Sequence, residues 1–404
     1  MRYLFLAPIY RKEEENTHLA LSNGIMAPSS NIFPWEIING LEEQGDNVVD
    51  IVNVLPVGTY PRQYKKMLLK TKRWSHNGKS ENTEIGSVNL LFLKQIIRTH
   101  KIKKALNKWI GESKNNNTVL IYFLYLPFLR AIRKLPKDVN AIAIVPDLPQ
   151  FLDLSAKKIM PMKLFRHIAA KMAYRSLDRV NGYILIAEQM RDLLDLGSKP
   201  YAVMEGISPQ MDCGDIPDLK NEHIVILYAG TLNYQYGIRD LLLAFSKIED
   251  DNYRLWICGV GEAAKDIVRL SESDKRIIFY GHVNKGKVFE LQRQATILIN
   301  PRKNEGEYTK YSFPSKTMEY MSSGRPVVMY KLDGVPDEYD SYLHYVAGDT
   351  VDDLKKKIVE ICSESPEELR EFGLRAREWV VQEKNRTVQI KKIIDIAEEL
   401  QVVL

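Results

Sequence analysis

Short apolar runs recur along this chain, each followed by a stretch whose apolar positions fall at helical spacing. In the first half, residues 2–9, 47–52, 118–124, 141–146 and 182–186 read as buried strands. In the second half, residues 224–228, 253–258, 276–280, 297–301 and 327–330 repeat the pattern. Between them the spacing predicts helices over 31–44, 90–109, 163–176, 188–194, 238–248, 284–295 and 312–323. Three more helices, 350–363, 366–382 and 386–403, close the chain, with Thr350 as N-cap of the first. Apolar strands alternating with helices predict parallel sheets covered on both faces, an α/β doubly wound architecture. In such sheets ligands sit beyond the carboxyl ends of the strands, so the polar, irregular segment 10–31 is expected to face a cleft. A surface loop without a ligand would have the same composition.

The 404 residues suit two domains, and a hydrophobic content of 45% is enough for two cores. A polar stretch over 212–222 reads as the linker, which puts the domains at 1–210 and 211–385. The last helix, within 386–404, is expected to pack back across the molecule. No apolar run approaches the roughly 18 residues of a membrane-spanning helix. Cys213, Cys258 and Cys362 are too far apart for a disulfide framework or a zinc pattern, and a reducing cytosol fits them best.

Charge adds a second asymmetry. The net charge of +5 hides a balance of +12 over residues 1–200 and −7 over 201–404. Residues 51–150 alone hold 18 basic against 5 acidic side chains. A basic half can attract nucleic acid or an anionic membrane surface. No nucleic-acid motif accompanies the charge, so no nucleic acid is expected as a partner. Residues 60–74 mix cations with Met67, Leu68, Leu69 and Trp74, the composition of an interfacial helix resting on an anionic bilayer. A solvated charged face has the same appearance.

The candidate chemistry centres on residues 312–328. Ser312 and Ser315 can cap a helix that Pro314 helps to start, and Gly324 with Arg325-Pro326 closes it. A helix N-terminus offers N–H donors and positive partial charge to a phosphate. Lys316 and Glu319 share one face of that helix. Together they suit a nucleotide diphosphate, with Lys316 on the phosphates and Glu319 on ribose hydroxyls; an ordinary amphipathic helix would put both in solvent. Asp147 follows the strand 141–146 and is a candidate for a substrate hydroxyl, or for a turn of its own. Gly230 directly follows a strand, and Gly237 opens the next helix. Gly259-Val260-Gly261 lacks the third glycine of a dinucleotide fingerprint. His282 reads as a turn histidine contributing backbone groups.

In order along the chain, Tyr228-Ala229-Gly230-Thr231, Tyr236-Gly237-Ile238, Gly259-Val260-Gly261, Gly281-His282-Val283 and Asn300-Pro301 lead to Ser312-Phe313-Pro314-Ser315-Lys316, Glu319-Tyr320-Met321 and Gly324-Arg325-Pro326-Val327. This set, over roughly 180–345, resembles the retaining glycosyltransferases of family 4, in the branch with an S-x-P-x-K pattern followed by a glutamate. The resemblance implies the GT-B fold, two Rossmann-like domains facing a cleft. The C-terminal domain would hold a UDP- or GDP-sugar through Gly230, Thr231, Tyr236, Gly237, His282, Val283, Tyr311, Ser312, Phe313, Pro314, Ser315, Lys316 and Glu319. The N-terminal domain would hold a saccharide or lipid-linked saccharide, with Ser29, Ser30, Asn31 and Asp147 on the acceptor side. Lys316 and Asp147 are the residues expected to serve the reaction, and neither cofactor nor metal is expected.

Two departures stand out. Many members carry a carboxylate where this chain has Tyr311, and a basic residue where it has Tyr236. Lys316 is expected to supply the missing cation, and Glu305 or Glu307 is a candidate for the missing carboxylate. The activity implied is glycosyl transfer with retention in the cytoplasm. The basic N-terminal half suits a lipid-linked saccharide at the inner face of a membrane, as in surface polysaccharide or glycan synthesis, and a soluble acceptor fits the sequence as well. An epimerase or hydrolase of the same fold, or a catalytically silent sugar-nucleotide-binding partner, is the alternative.

Overall fold

The computed structural model describes residues 1–23, 28–112, 117–151, 160–209 and 222–402, with the side chains of 28–29 and 160–166 outside that set. It divides into two compact units, Met1–Glu205 with Arg386–Leu404, and Gly206–Asn385. The stretch expected as a linker lies almost wholly outside the described residues.

Unit 1 contains strands β1 (Arg2–Ala7), β2 (Val48–Asn53), β3 (Lys72–Trp74), β4 (Asn82–Glu84), β5 (Asn117–Tyr122), β6 (Asn140–Val145), β7 (Gly182–Leu185) and β8 (Tyr201–Val203). They form one sheet in the order β3-β4-β2-β1-β5-β6-β7-β8. Neighbours are parallel except β3 against β4. Every residue of β5 and β6 is buried, as continuous apolar runs require when helices cover both faces. Unit 2 contains β9 (Ile224–Ala229), β10 (Tyr253–Cys258), β11 (Ile277–Gly281), β12 (Ile297–Asn300), β13 (Val327–Met329) and β14 (His344–Tyr345). Its sheet runs β11-β10-β9-β12-β13-β14, all parallel. Cys258 and Cys362 are both buried thiols in this unit, and Cys213 lies outside the described residues.

Two stretches differ from expectation. Segment 10–30 is not wholly irregular: Glu15–Leu21 is an α-helix, held by His18, whose Nδ1 lies 2.8 Å from the Tyr64 hydroxyl. Residues 60–74 do not form an interfacial helix. They turn over 60–63, run extended so that Leu68 bridges Val88, and end in β3. Trp74 points inward, its ring 6.1 Å from that of Trp35, and its indole N–H donates to Asn53. The pairing of this segment with 82–89 recruits its backbone groups, so it has no need of helical hydrogen bonds. Among the described residues, no helix is long and apolar enough to cross a membrane.

The last helix, Arg386–Val402, packs on unit 1 against helix Ile32–Glu43 and strands β6–β8. Its start is tied by Arg386, whose guanidinium binds Glu36 at 2.6 and 2.9 Å and also reaches Glu43. Its end is tied by Asn140, which donates to the Leu400 carbonyl at 3.1 Å. Close approach depends on Gly40, where an added Cβ would lie 2.5 Å from Ile390 and 2.7 Å from Arg386. Gly40→Val therefore overpacks this seam. It should destabilise the protein by about 1–3 kcal/mol, read as a lower urea midpoint. A midpoint equal to that of the unaltered chain would show that the seam is looser than described.

Candidate functional site

Among the described residues, unit 2 has one topological switch point. The chain leaves β9 toward β10 and β11 on one side, while β12, β13 and β14 lie on the other. Strands β9 and β12 pair only at Ile226 and Leu227, so beyond Leu227 they diverge and open a crevice at their carboxyl ends. Gly230 and Thr231 leave β9 there, and Pro301 and Arg302 leave β12.

Divergence leaves the end of β9 without ladder partners on that side. The Tyr320 hydroxyl replaces them: it accepts from the Ala229 N–H at 2.8 Å and donates to the Ala229 carbonyl at 3.0 Å. Tyr320 belongs to the helix Lys316–Ser322, so this bridge fixes that helix against the crevice. Burial holds the Tyr320 phenol far above its usual range, with Tyr228 adding to the effect, so it stays a neutral donor and acceptor.

The same helix presents Lys316 and Glu319. Their charged ends are 3.5 Å apart and partly exposed. Glu319 also accepts from the side-chain amide of Gln292 at 2.7 Å. Gln292 is fully buried and its own carbonyl oxygen has no hydrogen-bond partner, so its function in the fold is to aim Glu319. Burial pushes the Cys258 thiol, at the end of β10, up to about 11, while Lys316 and Lys287 draw it down. Two cations therefore bear on the carboxyl edge of this sheet.

A third cation was not anticipated. Arg302 donates to the Ser312 hydroxyl at 2.9 Å, and its guanidinium lies over the rings of Tyr236, at 5.7 Å, and Tyr308, at 4.7 Å. Its buried Nε has no hydrogen-bond partner. Arg302 thus stands against Tyr236, the position at which the resemblance leads one to expect a basic residue. Only tertiary packing reveals this, because the two are far apart in sequence.

The expected serine caps are corrected, and the other expected residues are placed as follows. Ser315 makes no capping hydrogen bond, and Ser312 serves Arg302 instead, so the helix starts without the anticipated side-chain caps. Phe313 packs on Tyr339 with ring centroids 5.2 Å apart, and Tyr311 is buried, so both rings are part of the core. Gly237, at φ +79°, and Gly259, at φ +142°, let loops meet: an added Cβ would lie 1.9 Å from the Pro301 carbonyl oxygen and 1.8 Å from that of Gly230, respectively. Pro314 is buried, Thr231 and His282 are exposed, and Gly230, Tyr236 and Val283 are half-buried. Glu305 and Glu307 are exposed, with Glu305 close enough to Tyr330 to raise its hydroxyl pKa as a minor contributor behind burial.

Unit 1 has its own switch point, between β1 and β5. Phe123, just past β5, has φ +71°, a strained conformation for an aromatic residue. Asp147 follows β6 and is exposed. Asn31 is not presented to a ligand: its side-chain amide binds both backbone groups of Tyr10, at 3.2 and 2.9 Å. Ser30 is exposed, and the Ser29 side chain lies outside the described residues. Past β1 and β4 lies a charged cluster that the sequence did not disclose. Lys72 stands 2.8 Å from Glu14 and 3.7 Å from Glu84, Arg11 also binds Glu14, and His18 Nε2 lies 3.5 Å from Glu14. Burial raises the Glu84 carboxyl above its usual range despite Lys72, and one of its oxygens has no hydrogen-bond partner.

Two parallel α/β units with these switch points match whole chains of known structure. The chain overlays sucrose-phosphate synthase from Thermosynechococcus elongatus with a TM-score of 0.69, 13% identity and 100% coverage of both chains. The fold is that of the GT-B glycosyltransferases. It also overlays the lipopolysaccharide outer core galactosyltransferase WaaB, with a TM-score of 0.65, 15% identity and 99% coverage of each chain. A third GT-B overlay is S. aureus TarM in a complex that includes UDP, at 0.60, with 12% identity, 98% of this chain and 100% of that one. In sequence, residues 223–364 match the family described as Glycosyl transferases group 1. An uncharacterised glycosyltransferase of Methanocaldococcus jannaschii is 29% identical over 121 residues, which span 29% of this chain and 30% of that relative.

Removing the Tyr320 hydroxyl tests the architecture of the crevice. Tyr320→Phe leaves two buried backbone groups unpaired, which should cost about 1–3 kcal/mol in urea unfolding followed by the fluorescence of Trp256 and Trp379. An unchanged midpoint would mean that another group takes over at Ala229.

Proposed function

We propose that this chain is a retaining glycosyltransferase of the family 4 type, in the branch with an S-x-P-x-K pattern. It would move a sugar from a UDP- or GDP-sugar to a saccharide or lipid-linked saccharide, in synthesis of a surface polysaccharide or glycan. The observation that carries this reading is the joint presentation of Lys316 and Glu319 at the carboxyl edge of the unit 2 sheet, on a helix bolted to the end of β9. A cation with a carboxylate one turn deeper suits the diphosphate and the ribose of one nucleotide.

In this reading the bond from the anomeric carbon to the diphosphate breaks, and negative charge develops on the leaving phosphate. Lys316 meets that charge, with Arg302 as a second cation and backbone N–H groups at residues 313 and 315 and at Thr231; the Gly230 N–H is committed to the Cys258 carbonyl at 3.0 Å. The chain's own groups then suffice for leaving-group stabilisation. Glu319, aimed by Gln292, holds the ribose, and the turn at His282 and Val283 meets the base. The acceptor hydroxyl attacks on the face the diphosphate leaves, and its proton passes to the departing phosphate oxygen. On the acceptor side, Asp147 and Ser30 remain candidates, whereas Asn31 is committed to Tyr10. The Arg11, Glu14, His18, Lys72 and Glu84 cluster offers both signs of charge for sugar hydroxyls.

A thermal-shift screen of nucleotide sugars, followed by titration of the best donor, tests the reading. Lys316→Ala and Arg302→Ala should each weaken donor binding by about tenfold or more, the size of a lost charge-assisted hydrogen bond. Nucleoside diphosphate should be released at speed only when an acceptor is present. Absence of any nucleotide-induced shift would overturn the transferase reading, and rapid release from donor alone would favour a hydrolase or epimerase. Undiminished donor binding by Lys316→Ala would remove Lys316 from the diphosphate.

A further inference from the structure

We propose that unit 1 docks on an anionic lipid bilayer through a patch built from Met67, Leu68, Leu90 and the first two turns of helix Leu91–Glu112. The inference does not depend on the glycosyltransferase reading. Its first support is an inversion of polarity. Over those two turns the helix buries its cations, Lys94 and Arg98, and turns its hydrocarbon outward. Lys94 Nζ donates to the Val57 carbonyl at 3.3 Å and to Asn89 Oδ1 at 3.4 Å. Arg98 donates to the Leu55 carbonyl at 2.9 Å and to the Tyr125 hydroxyl at 3.1 Å. Outside, Phe92 is 62% and Ile96 65% exposed, and Leu91 and Leu93 are exposed beside them.

The second support is continuity. Leu68 is 64% exposed, and its strand segment pairs with the residues that lead into the helix. The Asn89 N–H donates to the Met67 carbonyl at 2.7 Å, which sets Met67 and Leu68 beside Leu90 and Leu91. Large apolar side chains gathered in this way mark an interaction surface, whereas single exposed ones do not.

The third support identifies the occupant. No aspartate or glutamate occurs between Asp50 and Glu81, or between Glu84 and Glu112. Lys65, Lys66 and Lys70 flank the Leu68 segment and are exposed, while Lys101, Lys103 and Lys104 continue the helix beyond Ile96. An apolar patch whose own segments carry cations and no acids complements hydrocarbon beneath a layer of anionic headgroups. A second copy of this chain would bring like charges together around the same patch.

Sedimentation of the full chain with mixed phosphatidylcholine–phosphatidylglycerol vesicles, without any sugar donor, tests the proposal. Binding should weaken with salt and be weaker on phosphatidylcholine alone. The triple variant Leu68→Ser, Phe92→Ser, Ile96→Ser should lose at least about tenfold in partitioning with its melting temperature unchanged. As a second measurement, Phe92→Trp should show blue-shifted, bromolipid-quenched emission on vesicle addition relative to the unaltered chain. The proposal is overturned if the unaltered chain stays in the supernatant. It also fails if the triple variant binds as well, or if the new tryptophan stays unquenched. A concentration-dependent dimer abolished by the triple variant, without vesicle binding, would assign the patch to a second copy and overturn the proposal as well.

Discussion

The candidate site in unit 2 depends on one hydroxyl group. Where β9 and β12 diverge, the last residue of β9 would face the interior with two unpaired backbone groups, a cost folded proteins rarely carry. Tyr320 satisfies both, and its ring comes from the helix that carries Lys316 and Glu319. The opening of the crevice and the placement of its charged groups are therefore one event. A switch point without this bridge would be an unpaired strand end. With it, the strand end becomes the anchor from which two side chains reach the carboxyl edge.

The charge arrangement follows from the same economy. Lys316 comes from the helix after β12, and Arg302 from the loop before it, held over Tyr236 and against Ser312. Two flexible cations would repel one another and lose much of their freedom on binding an anion. Packing on two tyrosine rings meets part of that entropic cost for Arg302 before any ligand arrives. Tyr236 and Tyr311, which in sequence look like losses of function, have different consequences in space. Tyr236 supports a replacement cation, and Tyr311 contributes to the core.

Legibility in the sequence followed the physics of each element. The long parallel strands announced themselves because burial on both faces demands continuous apolar runs. The helix Arg386–Val402 was legible as a helix, and its packing on unit 1 was suggested by the family resemblance and not by any local signal. Residues 60–89 were not, because β3 and β4 are three residues each and their register is set by pairing, which leaves no period to detect. At the site, Lys316 and Glu319 were visible as neighbours on one helical face, which is a local relation. Arg302, Gln292 and the cluster around Glu14 were invisible, because their partners lie 10, 27 and 58 residues away in the contacts that define them. The serine caps failed for the complementary reason: a local motif predicts a local bond, and a distant arginine competed for Ser312.

The inverted helix of unit 1 follows from a constraint on its inner side. Beyond β2 the chain continues past the reach of the sheet, since β4 pairs only with Val52 and Asn53. The carbonyls of Leu55 and Val57 then need donors in a buried setting. Lys94 and Arg98 are long enough to supply them, spaced one turn apart so that both point the same way. Once Lys94 and Arg98 commit one face of these turns inward, the residues on the opposite face, Phe92, Leu93 and Ile96, are left exposed. The fold does not dictate that those residues be Phe92, Leu93 and Ile96, since serine, lysine or glutamine would satisfy the helix equally well. Exposed hydrocarbon there carries a solubility cost. Its presence is therefore to be explained by what the surface meets, and the absence of acids on either side of it points to a bilayer with negative headgroups.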